Sequence, residues 1–248
     1  YDRPRIMKEI YRMQPDILTF CEPEWETDTT WVGNEDGYAD TFNLRVEKAA
    51  DGRTLWFPTE CDCSIRTTWF CDKNEDTIKA PEVLLGMYES SVGHGSNFLL
   101  NVGPDARGLL SDADLSSLRR LGELLHGCYD HPVPFGPLTA ESDVIYSVTH
   151  PCYPECSFYH TPTNGMFNRV LIKEDLTRGQ NIRAFRLYAR LPGYPNDEGH
   201  RQLVYEGRTV GAHRICVIPT MYSAKLEVEV TESDGIPHIS AIEAYMLK

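Results

Sequence analysis

The sequence lacks any apolar run near the roughly 20 residues that a membrane-spanning helix needs. Its longest apolar stretches, around Val83–Leu85 and Phe98–Leu100, are the size of a strand or a helix core. It is also short of cations: 24 Lys+Arg stand against 37 Asp+Glu, a formal net charge of −13. That balance argues against nucleic acid, whose phosphates are met by clustered Lys and Arg. Neither a membrane nor a nucleic-acid partner is therefore expected. The chain has no internal repeat and no low-complexity tract. It begins at Tyr1 with no Met, no basic stretch and no apolar leader core. Instead it enters a helix almost at once, with Asp2 able to cap, Pro4 in the first turn, and Ile6, Ile10 and Met13 recurring at helical spacing. A domain that opens inside an amphipathic helix is expected to lack its beginning, so the compartment stays open, with bacterial intracellular and secreted settings both consistent.

What is present is ordinary for a folded chain. Hydrophobics make 41% and charged residues 25% of 248 residues, enough for one large domain or two of common size. The eight cysteines are too few for a chain of this length to be a disulfide scaffold. Cys61 and Cys63, with Cys71 nearby, lack the second paired knuckle of a structural zinc site, so buried thiols are expected and no metal.

Periodicity divides the chain. The first part alternates helix and strand: an apolar run at Asp16–Cys21 that reads as a buried strand, a long loop from Trp25 to Gly37, and strands at Leu55–Phe57 and Glu60–Arg66. A helix from Pro81, a strand at Phe98–Val102, and a leucine-faced helix capped by Asp112 or Asp114 follow. The proline-rich segment His131–Pro137 is the best joint. Beyond it, period-two runs such as Leu226, Val228 and Val230 argue for an antiparallel β-sandwich. The expected organisation is an α/β unit over 1–130 and a β-sandwich over 131–248.

All four tryptophans lie within the first 69 residues, interleaved with acids. Aromatic faces beside carboxylates suit a sugar site, since rings pack on C–H faces while carboxylates bind hydroxyls or move protons. The alternative is ordinary core packing beside a solvated acidic face. The turn Trp31-Val32-Gly33-Asn34-Glu35-Asp36-Gly37 follows a predicted strand. Held beside Trp31, the Glu35 carboxyl would be partly desolvated, which raises its proton affinity as a general acid requires.

Trp31–Gly37, then Glu60-Cys61-Asp62-Cys63-Ser64-Ile65-Arg66 with Trp69-Phe70, then Ser90–Asp105 resemble glycoside hydrolase family 29, the α-L-fucosidases. The first of these motifs most resembles the subfamily that cleaves α-1,3/1,4-linked fucose. Val170–Leu176 with Gly179-Gln180 is similar to that family's C-terminal β-sandwich.

The resemblance implies the C-terminal half of a (β/α)8 barrel followed by an antiparallel β-sandwich. It further implies a retaining glycosidase with two carboxyl groups, no cofactor, and a fucosylated oligosaccharide or glycoconjugate as substrate. Glu35 falls on the acid/base. The nucleophilic Asp, in a Trp-Phe-Asp-Gly-like motif, and the fucose-binding histidines belong to the barrel half that this sequence lacks, so the chain alone is expected to be inactive. Among substrate-binding candidates, Glu60 matches the other subfamily's acid/base and is the second candidate acid. Trp69 is placed against the fucose methyl, and Trp31 walls the subsite beside Glu35. Arg66 orients Glu60 or binds a hydroxyl, with a surface Arg as the alternative; Asn101 lies near the rim or caps the Gly103-Pro104 turn. The segment from Pro15 to Trp31, with Glu22, Glu24 and Glu26, is longer and more acidic than the family pattern, which bears on linkage preference. Two rivals are a carbohydrate-binding sandwich with a vestigial barrel piece, and a scaffold held by Cys pairs.

Overall fold

The computed structural model describes residues 1–21, 25, 27–48, 52, 54–151, 165–190 and 201–248. Cys152 and Cys156, and the acids Glu22, Glu24 and Glu26, lie outside the described residues.

The chain opens with α1 (Arg3–Met13), where the Asp2 side chain accepts from the Arg5 N–H, as the sequence predicts. Four short strands then line up in one parallel sheet, in the order β1 (Phe20–Cys21), β2 (Thr29–Trp31), β5 (Thr59–Ser64) and β6 (Asn97–Asn101). Between β2 and β5 runs a two-stranded hairpin of β3 (Val46–Lys48) and β4 (Thr54–Trp56). Helix α2 (Pro81–Ser91) connects β5 to β6, and α3 (Asp112–Tyr129) follows β6. Leu84, Leu85 and Leu121 of the two helices are buried with Ile65, closing one face of the sheet.

Several expectations change here. The run at Asp16–Cys21 forms strand only at its last two residues and is not buried: Leu18 is 81% and Phe20 48% exposed. β1 is the edge of its sheet, so its apolar residues have no neighbour on the outer side. The apolar stripe of α1 is likewise uncovered, with no residue of that helix buried. The segment read as a loop from Trp25 to Gly37 holds β2, and α3 is capped by the Ser111 hydroxyl, not by Asp112 or Asp114.

The second part is strand-rich. β7 (Thr139–Ala140), β8 (Ile145–Thr149), β10 (Ile182–Arg190), β11 (Arg201–Gly207) and β13 (Lys225–Ser233) form a five-stranded antiparallel sheet ordered β11-β10-β13-β8-β7. β9 (Met166–Glu174), β12 (Arg214–Tyr222) and β14 (Ile239–Tyr245) form a second, ordered β12-β9-β14. The two sheets share one core, in which Leu226, Val228 and Val230 meet Phe167, Val170 and Ile172. That is the consequence of period two, which puts alternate residues on one face. Val133, inside the predicted joint, bridges to Ala244 and is part of this core.

The two parts are bolted together. Glu89 of α2 is 8% exposed and accepts from Arg169 Nε of β9 at 2.6 Å and from the Tyr129 hydroxyl at 2.8 Å. Gly93 sits so close to β12 that a Cβ there would lie 2.8 Å from the Ile215 Cβ.

Candidate active site

The parallel sheet has a covered and an open face. Along β5, Thr59, Cys61 and Cys63 are buried, while Glu60 and Asp62 point the other way and remain half-buried. Burial pushes the Cys61 thiol up to about 12 and the Cys63 thiol up to about 11, so both are inert packing groups behind the site. On the open face, strand register stacks polar groups in tiers. Asn97 Nδ2 donates to Glu60 Oε2 at 2.7 Å, and Glu60 and Asn97 are register partners. One tier nearer the strands' C-terminal ends, Asp62 Oδ1 accepts from Trp31 Nε1 at 2.5 Å. At the top, Asn101 Nδ2 donates to the Ser64 hydroxyl at 3.3 Å and to the Trp69 carbonyl at 2.8 Å.

Glu35 and Trp69 follow the C-terminal ends of neighbouring parallel strands, and they meet. Trp69 Nε1 donates to Glu35 Oε2 at 2.9 Å. The turn that carries Glu35 is shaped by Gly37, whose φ of +69° suits glycine, and a Cβ there would press on Met87 at 3.1 Å and on Cys63 Sγ at 3.3 Å. Inside the turn, Asn34 Oδ1 accepts from the Asp36 N–H at 3.0 Å and Asn34 Nδ2 donates to the Tyr38 carbonyl at 3.0 Å.

These positions revise the expected roles. Glu35 is exposed, and its indole partner is Trp69; the desolvation expected from Trp31 is not supplied by this chain. Trp31 instead binds Asp62. Arg66 is 2% exposed, so neither a surface position nor an open hydroxyl site describes it. Its guanidinium lies 3.0 Å from Asp114 Oδ1, donates to Asp114 Oδ2 at 3.1 Å, and reaches the Asn74 carbonyl and Thr77 hydroxyl. Asn101 holds the Trp69 backbone. Asp62 is the residue to which the sequence reading assigned no role, although the alternation Glu60-Cys61-Asp62-Cys63 already puts it on the face of Glu60. Among the described residues no group of three or more His, Cys, Asp or Glu side chains is arranged to hold a metal.

A carboxyl group presented by an indole at a strand-end rim, above two further acids, is equipped to transfer protons and to bind hydroxyls. The model of the family described as Alpha-L-fucosidase matches residues 10–128, the segment that carries every one of these groups. That match takes in just under half of the chain. The chain is 28% identical over 276 aligned positions to Alpha-L-fucosidase 1 of Arabidopsis thaliana, covering 96% of this chain and 53% of the plant protein. Its fold is similar to that of a glycoside hydrolase 29 family member from an unknown rumen bacterium, at TM-score 0.79 and 24% identity, over 100% of this chain and 46% of the other. It is also similar to the Ruminococcus gnavus GH29 fucosidase E1_10125 in complex with fucose, at TM-score 0.74 and 22% identity, over 100% and 57%. The chain thus spans about half the length of the relatives it matches.

Proposed function

We propose that the chain is the C-terminal part of a retaining α-L-fucosidase acting on α-1,3/1,4-linked L-fucose in oligosaccharides or glycoconjugates, with Glu35 as its acid/base. The observation that carries this reading is the Glu35–Trp69 hydrogen bond, which joins two motifs 34 positions apart at one rim of a parallel sheet. In the first step Glu35 gives its proton to the glycosidic oxygen as the bond to the anomeric carbon breaks. In the second, its carboxylate takes a proton from the water that attacks the fucosyl-enzyme. Asp62 and Glu60 supply hydroxyl-binding carboxylates on the open face, the ring of Trp69 packs on the fucose methyl, and Trp31 is set by Asp62 to wall the sugar site. Arg66 acts at a distance by fixing the segment that leads to Trp69.

The nucleophile, about 5–5.5 Å from the acid/base in a retaining enzyme, belongs to an N-terminal barrel half. The uncovered stripe of α1, the edge strand β1 and the apolar groove of about 490 Å³ lined by Met7, Ile10, Phe20 and Trp25 support such a neighbour, as does the share of each relative that this chain spans. On this reading 1–130 completes a (β/α)8 barrel and 131–248 is its β-sandwich. A purely carbohydrate-binding role is not favoured, because the family segment is 10–128 and not the strand-rich part.

The test is aryl α-L-fucoside hydrolysis. The 248-residue chain is expected to show no turnover above background. Expressed with the coding sequence upstream of Tyr1, it should turn over, lose that turnover in Glu35→Ala, and regain part of it with azide as α-fucosyl azide. Turnover that survives Glu35→Ala overturns the assignment. Robust turnover by the chain alone overturns the missing nucleophile.

A further inference from the structure

The segment that leaves the Glu35 turn is held by the strand-rich part through buried polar groups. The Asn43 N–H donates to the Thr209 hydroxyl at 2.9 Å, and that hydroxyl donates to the Thr41 carbonyl at 3.1 Å. Arg214 Nη2 donates to the same Thr41 carbonyl at 2.8 Å, while Arg214 Nε donates to the Thr209 carbonyl at 2.8 Å. Gln180 makes a two-point contact: its Oε1 accepts from the Arg45 N–H at 2.6 Å and its Nε2 donates to the Asn43 carbonyl at 2.7 Å. Thr209 and Arg214 are 0% exposed, and Gln180 and Asn43 4%. Among the described residues no carboxylate is hydrogen-bonded to Arg214; it is buried on backbone carbonyls and a hydroxyl.

A buried amide or carbonyl left without a partner is costly, so this pattern specifies one path for residues 41–45. The path runs back into the turn without slack. The Ala39 N–H donates to the Ser90 carbonyl at 3.0 Å, the Ala39 carbonyl meets His94 Nδ1 at 2.6 Å, and Asn34 Nδ2 closes on the Tyr38 carbonyl. Asn43 Nδ2 also donates to the His94 carbonyl at 2.7 Å, tying both ends of this stretch to the short helical turn after α2.

We propose that Gln180 and Thr209, with Arg214 beneath them, are positioning residues for Glu35: the strand-rich part sets the turn that aims the acid. The proposal deepens the acid/base reading and rests on it.

The experiment needs no turnover. In the ¹⁵N-labelled 248-residue chain, the four indole N–H resonances are assigned by single Trp→Phe variants. The Trp69 resonance reports its bond to Glu35, and Glu35→Ala defines the unbonded position. In Gln180→Met and Thr209→Val the Trp69 resonance should move at least half-way to that position. The amides of 33–37 should exchange about tenfold faster, a local opening. The Trp31 indole, bonded to Asp62, should stay put, and Thr209→Ser, which keeps the hydroxyl, should retain the parent position. A Trp69 resonance unmoved in both folded variants overturns the proposal, and so does a shift shared equally by Trp31, which would mark general loosening. If both variants fail to give a dispersed spectrum while Thr209→Ser does, hydrogen exchange of the parent chain decides: amides of 33–37 protected less than those of α3 overturn it, and equal protection supports it. The two failures are separable, because turnover that survives Glu35→Ala removes the acid/base and leaves the indole shift intact.

Discussion

Replacing Arg66 by Met tests whether that residue serves the fold or the sugar. Arg66 and Asp114 are 2% and 0% exposed, joined at 3.0 and 3.1 Å. Removing Arg66 leaves Asp114 buried with the Ser111 hydroxyl but no counter-charge, and breaking such a pair costs about 3–5 kcal/mol, whereas replacing both members by apolar groups of similar size is close to neutral. The Asn74 carbonyl and Thr77 hydroxyl that Arg66 also serves are part-buried and regain some water, so they add little. Arg66→Met should therefore lower the urea midpoint by about 1–2 M at an m-value of about 2–3 kcal/mol/M. Arg66→Met with Asp114→Leu should return to within about 1–2 kcal/mol of the parent. Tryptophan fluorescence is the right probe, because all four indoles lie in the first 69 residues and report on the part that holds the pair. A single variant that loses less than about 1 kcal/mol, or a double variant as unstable as the single one, would refute the buried-pair argument and return Arg66 to the list of ligand groups.

Four further outcomes follow from the packing. Burial pushes the thiols of Cys61 and Cys216 up to about 12 and those of Cys63 and Cys128 up to about 11, against an ordinary value of 9.0. Above that ordinary value the unfolded chain gives up protons that the folded chain keeps. The thiols' contribution to stability should thus be full below about pH 9 and drain away toward pH 11–12, at up to about 1.4 kcal/mol per pH unit for each thiol; urea titrations of Cys216→Ala should show a shallower alkaline limb. On the acid side, burial holds His94 and His213 below the ordinary value of 6.5, so they stabilise the fold above it, and that contribution should fade as the pH drops. A Gly93→Ala substitution forces a methyl into Ile215 and should cost about 1–3 kcal/mol, measured by thermal unfolding. Arg169→Met leaves Glu89 buried between the two parts with the Tyr129 hydroxyl but no counter-charge, and it should cost about 3–5 kcal/mol and split unfolding into two transitions.

How much of this was legible in the sequence depends on the range of each interaction. Period two located β8 to β14 because alternation is written into neighbouring residues. Burial does not follow that alternation everywhere: Glu227, between Leu226 and Val228, is 3% exposed because Arg201 and Arg190 from neighbouring strands lie across it. Long charged side chains cover a sheet face as well as apolar ones do, and no pattern within β13 reveals that. β2 and β3 escaped for the opposite reason, since three residues carry no legible period. In the site, glycines at 33 and 37 announced a turn around Glu35, and the turn is there. Its hydrogen-bond partner is not the nearest indole in sequence, Trp31, which bonds Asp62; adjacency of β2 and β5 brings Trp69 instead.

The same reasoning explains why the open face reads as a site and not as a core. A sheet face that lacked a neighbour only by accident would carry aliphatic residues, as the exposed Leu99 does. Here Leu99 is flanked by Asn97 and Asn101 on its own strand and faced by Glu60 and Asp62 on the next, each with an assigned hydrogen-bond partner. Those partners are donors bound to acceptors, so the carboxylates keep free lone pairs directed at whatever occupies the face. An apolar neighbour alone would leave those lone pairs unpaired, at about 1–3 kcal/mol each. The polar tiers below the Glu35 rim thus suit a polyhydroxylated occupant better than an apolar one.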